Sequence, residues 1–190
     1  DGTHWELIYN TDARIKDIAA AQGKVVAVGT KNNQAVALQS EDMKNWHTES
    51  FTLGKDMPFW SRMKHASFDG DLTQCFTNVQ WANNRFIIMA DRIYTSTDGK
   101  QWSVVNGEYA DFIYEFPNWY SNGNVLWTGS EYVYYKDRIL GFSRDLESWQ
   151  FYEHNNTYGL KQIIWTGEDL LGVGDSGLIV RIKQSLEADR

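Results

Sequence analysis

Short apolar runs separated by turn residues extend along almost the whole chain. Lys24–Gly29, Ala35–Ser40 and Arg85–Met89 are runs of this kind, and Gly, Asn or Asp stands close to the ends of each. Runs of four to eight residues between such turn signals, rich in β-branched and aromatic side chains, predict β-strands. Ala19–Ala21 do not indicate a helix, because the turn at Gln22-Gly23 comes too soon after them. The pattern therefore predicts an all-β chain.

A seven-residue pattern, Ser-x-Asp-Gly-x-x-Trp, stands at 96–102 between predicted strands. Degenerate copies without the Gly recur at 40–46 and 143–149, and a partial copy opens the chain. Asp and Gly favour tight turns, since Asp bonds nearby amides and Gly accepts a positive φ. Ser and Asp can together accept the turn amides, while Trp packs over the turn. The residues assigned to these turns are Asp1, Trp5, Ser40, Asp42, Trp46, Ser96, Asp98, Gly99, Trp102, Ser143, Asp145 and Trp149.

The turns divide the chain into units of one plan: strand, turn, strand, turn, strand, Ser-x-Asp turn, strand. The units cover about 17–52, 77–106, 123–153 and 161–185. The last unit lacks a fourth strand, which residues 1–10 could supply. The repeat length is close to the roughly 40–50 residues of a propeller blade.

The turn residues resemble the Asp-box repeat of sialidase-like β-propellers. The resemblance is specific at 96–102, good at 40–46 and 143–149, and partial at 1–5. It implies one domain, a small β-propeller of about four four-stranded blades, closed by pairing the N-terminal strand into the last blade. Two copies could instead associate as a homodimer with eight blades. The resemblance also implies a secreted, periplasmic or cell-surface protein.

Composition narrows the range of partners. The net charge of −7 argues against a broad phosphate-binding surface, so nucleic acid is not an expected partner. No apolar run approaches the roughly 20 residues of a membrane helix, so membrane insertion is not expected. The four histidines lack the spacing of zinc ligands. We therefore expect no metal and no cofactor.

Two long connections between the units, about 52–76 and 106–123, hold the candidate binding residues. Long loops in a compact domain are commonly functional. Aromatic side chains beside charged groups suit a glycan or a protein ligand. We expect these loops to form a binding face at the end opposite the Asp-box turns; alternatively, they plug the ring. The candidates are Trp60, Arg62, His65, Tyr114, Glu115, Trp119 and Tyr120.

The sialidase resemblance raises an enzymatic alternative. Sialidase-like glycosidases carry a Phe/Tyr-Arg-Ile-Pro motif, and the nearest sequence here is Arg14-Ile15-Lys16. Glu108, Asp111 and Glu115 could supply an acid and a base, but no motif selects them. We therefore predict a non-catalytic binding module for a glycan or a protein surface. A glycosidase-like enzyme and a structural domain of a larger surface or phage-type protein are the alternatives.

Overall fold

The computed structural model of the chain describes residues 3–53, 76–108, 123–153 and 159–182. Within these ranges the chain forms fifteen β-strands and one short 3-10 turn, Asp175–Gly177. The prediction of an all-β chain is confirmed. Ala19–Ala21 belong to a strand, as the early turn after them indicated.

The strands form four antiparallel sheets, and in each sheet the strands pair in chain order. Sheet 1 contains β1 (Arg14–Ala21), β2 (Lys24–Lys31), β3 (Gln34–Ser40) and β4 (His47–Phe51). Sheet 2 contains β5 (Gln80–Ala82), β6 (Arg85–Met89), β7 (Ile93–Ser96) and β8 (Ser103–Val105). Sheet 3 contains β9 (Asn124–Trp127), β10 (Tyr132–Lys136), β11 (Ile139–Ser143) and β12 (Gln150–Glu153). Sheet 4 contains β13 (Leu160–Trp165), β14 (Leu170–Gly174) and β15 (Ile179–Ile182).

The sheets stack in chain order on apolar layers. We call the side of a sheet that meets the next sheet its rear face, and the side that meets the preceding sheet its front face. Val26 and Val28 on the rear face of sheet 1 pack with Phe86 and Ile88 on the front face of sheet 2. Equivalent layers join sheet 2 to sheet 3 and sheet 3 to sheet 4. Because side chains alternate between the two faces of a strand, burial on both faces produces continuous apolar runs such as residues 86–89 of β6.

The first strands of the four sheets lie side by side, in the order β1, β5, β9, β13. Polar side chains bridge them. The Asp17 carboxylate accepts the Val79 amide at 2.9 Å, and the Asn78 side chain donates to Asn124 Oδ1 at 2.8 Å. These bonds satisfy polar groups along the edges of neighbouring sheets, where no further strand pairs with them. They also link sheet 1 to sheet 2 and sheet 2 to sheet 3.

Three turns between third and fourth strands share one hydrogen-bonding pattern, and we call them the Ser-Asp turns (40–46, 96–102 and 143–149). In the second turn, Ser96 Oγ accepts the Gly99 amide at 2.7 Å. Asp98 Oδ1 accepts the amides of Lys100 and Gln101, each at 2.8 Å. The first and third turns repeat these bonds. Ser and Asp therefore accept the turn amides, as their pattern predicted.

The indole N–H groups of these turns are used within the turns. Trp102 Nε1 donates to the Gly99 carbonyl oxygen at 3.1 Å. Trp149 Nε1 donates to the Leu146 carbonyl oxygen at 2.8 Å. The sequence did not assign a partner to this donor, and the structure supplies one within the turn. The carbonyl lies within reach because the turn folds back under the ring.

The N-terminal segment also differs from the prediction. The sequence placed a strand at residues 1–10 that would complete the last sheet. Residues 3–10 form no strand, and sheet 4 has three strands among the residues that the structure describes. Trp5 is 92% exposed. Tyr9 stacks on Trp46, with ring centroids 5.3 Å apart, so this segment is held against sheet 1. Neighbouring first strands, such as β1 and β5, lie in contact with each other. No contact of that extent joins β13 to β1 in the described ranges. A closed ring is therefore not observed.

Candidate functional site

The seven candidate binding residues predicted from the sequence lie outside the described residues. They belong to ranges 54–75 and 109–122: Trp60, Arg62, His65, Tyr114, Glu115, Trp119 and Tyr120. Their assignment to a binding face stays a prediction. Asp1 also lies outside the described residues, and Trp5 is exposed, so their assignment to a partial turn stays a prediction.

An open pocket of about 750 Å³ lies where β5, β9 and β13 meet. We call it the indole pocket, because Trp81, Trp127 and Trp165 line it. Each tryptophan stands near or at the end of a first strand, close to the turn that leads to the second strand. In a four-stranded meander, this turn and the turn between the third and fourth strands lie at the same end. The indole pocket therefore opens beside the Ser-Asp turns, opposite the binding face predicted from the sequence.

Cross-strand contacts hold the three indoles in place. Trp81 pairs with Phe86 across the sheet, with ring centroids 4.8 Å apart. Trp127 pairs with Tyr132 at 4.6 Å. Trp165 lies opposite the buried Leu170. Each indole is half-buried, so one part of the ring packs on the core while another part faces the pocket. Because strands hold these rings, little side-chain entropy is left to lose when a ligand binds.

The remaining lining of the indole pocket is aliphatic or carries amides. Asn83 Nδ2 donates to the Tyr132 hydroxyl at 2.9 Å. The Gln80 side-chain oxygen accepts the Val125 amide. Asn84 is exposed at the rim. No ionisable side chain is among the described residues that line the pocket: Gln80, Trp81, Ala82, Asn83, Asn84, Val125, Leu126, Trp127, Ile163, Ile164 and Trp165. Such a surface can stack on a neutral ligand and form hydrogen bonds with it.

Sequence reasoning assigned these three tryptophans to strands and did not recognise them as a site. The signal that could have found them is their repeated position, one Trp near the end of the first strand in three of the four units. In sheet 1 the equivalent position is Ala20, which lies opposite Val25 as Trp81 lies opposite Phe86. The indole pocket therefore involves sheets 2, 3 and 4.

A second, smaller pocket of about 210 Å³ adjoins the Ser-Asp turn of sheet 2. Arg85, Asp98 and Gln101 line it together with hydroxyl groups. Arg85 Nε is buried and has no hydrogen-bond partner among the described residues. Lys24, the residue of sheet 1 equivalent to Arg85, donates to the Thr97 carbonyl oxygen at 3.4 Å. The volume is below the roughly 300–1,000 Å³ of typical ligand pockets, so we assign no ligand to this pocket.

Of the three carboxylates considered for acid–base chemistry, Glu108 lies among the described residues. Glu108 Oε2 accepts the Trp149 amide at 2.8 Å, and the Glu108 amide donates to the Glu147 carbonyl oxygen at 2.9 Å. Glu108 therefore links sheet 2 to the Ser-Asp turn of sheet 3. Asp111 and Glu115 lie outside the described residues.

No group of three or more His, Cys, Asp or Glu residues is placed to hold a metal ion within the described ranges. None of the helices in the described residues has the length and apolar character needed to cross a membrane.

Comparisons with known proteins give a match of fold only. No protein-family model matches the chain, and no curated protein matches it either. A solved structure, YCF48 from Cyanidioschyzon merolae, is similar with a TM-score of 0.59 and 13% sequence identity. The similarity covers 98% of this chain and 58% of that chain. It supports a β-propeller fold for the four stacked sheets, since the match extends over nearly the whole chain.

Two other solved structures are less similar to this chain, as their lower TM-scores show. The structure "YCF48 bound to D1 peptide" has a TM-score of 0.36 and 14% identity, over 94% of this chain and 66% of that chain. An endo-arabinanase of family GH43 from Bacillus licheniformis has a TM-score of 0.28 and 10% identity, over 89% of this chain and 93% of that chain. The chain thus spans less than two thirds of the length of both YCF48 structures.

Proposed function

We propose that this protein is a non-catalytic binding module of the Asp-box propeller type, and that it binds a neutral glycan in the indole pocket. The observation that carries the proposal is the placement of three equivalent tryptophans, Trp81, Trp127 and Trp165, around one pocket. The apolar C–H face of a sugar ring packs on an indole, while its hydroxyl groups bond to amides such as that of Asn84.

The absence of ionisable side chains from the described lining of the indole pocket favours a neutral sugar over an acidic one. An acidic sugar needs a cation nearby, and the net charge of −7 would oppose its approach. Binding of a neutral glycan should therefore change little with ionic strength, because no charge pair is there to be screened.

The size of the indole pocket favours a glycan over a protein surface. Its volume of about 750 Å³ lies within the roughly 300–1,000 Å³ typical of small-ligand pockets. A folded protein partner generally needs a broader contact surface, about 800 Å² on each side. The loops at 52–76 and 106–123 stay candidates for such a surface at the opposite end.

The Asp-box assignment and an extracytoplasmic location are part of the proposal. The three Ser-Asp turns, which repeat one hydrogen-bonding pattern, support the assignment. A secreted, periplasmic or cell-surface location is what the Asp-box resemblance implies, and it would place the pocket where extracellular glycans occur.

A glycan array probed with the intact chain tests the proposal, followed by titration of the best neutral oligosaccharide. We expect Trp127→Ala and Trp165→Ala to weaken binding roughly 10- to 100-fold, the loss typical of removing an aromatic anchor. Asn84→Gly removes a rim amide but keeps the turn, and it should weaken binding without changing the melting temperature. Trp46→Ala is the matched control, because Trp46 packs on sheet 1 outside the pocket.

Two results would contradict this function. One is binding of a neutral glycan that none of the pocket variants weakens. The other is loss of binding after Trp60→Ala or Trp119→Ala alone, which would place the site at the end of the sheets predicted from the sequence.

A further inference from the structure

The three tryptophans of the indole pocket occupy equivalent positions in consecutive sheets. Each lies opposite a buried residue of its second strand, and these residues are Phe86, Tyr132 and Leu170. The first strands that carry the tryptophans lie side by side in the order β5, β9, β13. Stacked sheets are about 10 Å apart. The indoles therefore form a row that contains one ring from each of sheets 2, 3 and 4.

The indoles of this row are separate from one another. Trp81 and Trp127 make their ring contacts inside their own sheets, with centroids 4.8 and 4.6 Å from those of Phe86 and Tyr132, respectively. Among the described residues, which include all three tryptophans, no ring contact joins one pocket indole to another. The indoles therefore do not enclose one small group as a cage does. Each offers its own apolar surface, on which a ring of the ligand can stack.

The space between the indoles is larger than a single sugar ring. The indole pocket has a volume of about 750 Å³, in the upper part of the roughly 300–1,000 Å³ range of sites for drug-sized ligands. It is open to solvent, so a chain longer than the pocket can extend beyond it. The pocket therefore has room for several linked sugar rings.

Hydrogen bonds in the pocket lining join the three sheets that carry the row. The side-chain oxygen of Gln80 in sheet 2 accepts the Val125 amide of sheet 3. Burial raises the pKa of the Tyr135 hydroxyl in sheet 3, and hydrogen bonds with the Ile163 backbone of sheet 4 and the Gln80 side chain oppose this shift. Gln80, Val125 and Ile163 all line the pocket. The spacing of the indoles is therefore set before a ligand binds, which limits the entropy lost on binding.

We propose that the indole pocket binds a linear oligosaccharide, with one sugar ring stacked on each of Trp81, Trp127 and Trp165. The proposal rests on the proposed glycan function and adds that the ligand is a chain of at least three linked neutral rings. A row of equivalent, separate surfaces matches a ligand that repeats one unit. Linking the rings makes the second and third contacts intramolecular, so the chain binds far more tightly than one sugar. A single sugar would cover one indole and leave the other two in water.

Affinity measured against chain length tests the inference. The probe is an array of neutral homo-oligosaccharides of glucose, mannose, galactose, xylose and N-acetylglucosamine, each with one to six rings. The intact chain is then titrated in a calorimeter with the series that binds. We expect the longest chains to bind roughly 100-fold more tightly than the single sugar.

Removal of an outer indole separates stacking on three rings from binding of one sugar. In Trp165→Ala the longest chains should bind about 10-fold more weakly, because one anchor is lost. The affinity for the single sugar should change by less than about twofold, since two equivalent indoles remain for it. Trp46→Ala is the matched control and should change neither affinity, because Trp46 packs on sheet 1 outside the pocket.

Tyr135→Phe tests whether the spacing of the row matters. It removes the hydroxyl group that bonds to Ile163 and Gln80 but keeps all three indoles. Long chains should bind about 3- to 10-fold more weakly, because the indoles are no longer held in position, while the single sugar should bind as it does to the wild type. A purely structural effect would instead lower the folded fraction and reduce binding at all chain lengths alike.

The outcomes distinguish this inference from the proposed function. Equal affinities for the single sugar and the longest chain would overturn the inference and leave the proposed glycan function in place. Loss of single-sugar binding in Trp165→Ala would also overturn it, because one indole would then form the whole site. Failure of every neutral sugar on the array, at every length, would contradict the proposed function and the inference with it.

Discussion

At the scale of single residues, the Ser-Asp turns show how one carboxylate organises several amides. Asp98 Oδ1 accepts the amides of Lys100 and Gln101 as well as the Ser96 hydroxyl. Donors of this kind favour the ionised carboxylate, and the Gln101 amide is the main reason why the pKa of Asp98 lies below its ordinary value. In the same way, the Ser148 amide lowers the pKa of Asp145. The turns should therefore contribute stability that depends on pH.

A prediction at this scale compares the wild type with Asp98→Asn, which keeps an acceptor oxygen but removes the charge. Because the folded-state pKa is below the unfolded value, the charge contributes stability above about pH 4, and this contribution is lost as the pH falls through the folded pKa. The variant should be less stable than the wild type at pH 7, by about 1–2 kcal/mol. The difference should become smaller by pH 3. Urea denaturation at the two pH values measures it.

Asp12→Asn is a suitable control, since Asp12 forms an exposed ion pair with Lys31 and accepts no amides across a turn. This variant should change stability little at pH 7. A stability difference for Asp98→Asn that stays constant from pH 7 to pH 3 would contradict the role assigned to the carboxylate charge.

At the scale of elements, the Ser-Asp turns of sheets 2 and 3 connect strands within one sheet and also pack against the preceding sheet. The positive-φ residue of the turn points into that sheet: Leu146 enters the layer between sheets 2 and 3, and Gly99 approaches Val26 of sheet 1. The indole of the same turn packs on the same side, as Trp149 does between sheets 2 and 3. A turn that looks local in the sequence is therefore part of the packing between sheets.

The element-scale prediction compares Gly99→Ala with Gly23→Ala. Both glycines have a positive φ, +76° and +71°, so each alanine should cost about 1 kcal/mol in backbone strain. At Gly99 the new Cβ would also lie 2.5 Å from Val26 Cγ2, whereas nothing lies within 4 Å at Gly23. Gly99→Ala should therefore lose about 1–3 kcal/mol more than Gly23→Ala. Chemical denaturation of the two variants measures the difference, and equal losses would show that the turn does not press on sheet 1.

At the scale of the whole molecule, the stack brings together side chains that no single sheet holds. Three first strands from different sheets bring Trp81, Trp127 and Trp165 around one pocket. This shared pocket supports the proposed glycan site.

The prediction at this scale concerns the N-terminal segment. Residues 3–8 are exposed and form no strand, so deletion of residues 1–8 should leave the melting temperature of the chain unchanged. Deletion through Tyr9 should lower it slightly, because the stack of Tyr9 on Trp46 is lost. Thermal melts of the two truncated chains measure this. A large fall for the shorter deletion would mean that residues 1–10 complete sheet 4, as the sequence predicted.

The sequence by itself determined the strands, the turns and their repetition. These features depend on neighbours in the chain: the alternation of apolar side chains, a positive φ at Asn83, Asn84 or Gly99, and the reach of Asp98 to amides two and three residues away. Local physics therefore made an all-β chain of four similar units predictable. The same local reasoning placed Trp102 over its turn, although it did not assign the partner of the indole N–H.

Only the tertiary structure decided how the units meet and which residues they bring together. About 40 residues or more separate the three pocket tryptophans, Trp81, Trp127 and Trp165, along the chain. They line one pocket because sheets 2 to 4 stack in order with their first strands side by side. Val173 and Ile179 are apolar, like the buried residues at the same strand positions in sheets 1 to 3, yet they are 45% and 79% exposed. The sequence pattern is the same in both cases, so it cannot show which residues are exposed. Exposure depends on whether a neighbouring sheet is present, and that information is not local to any strand.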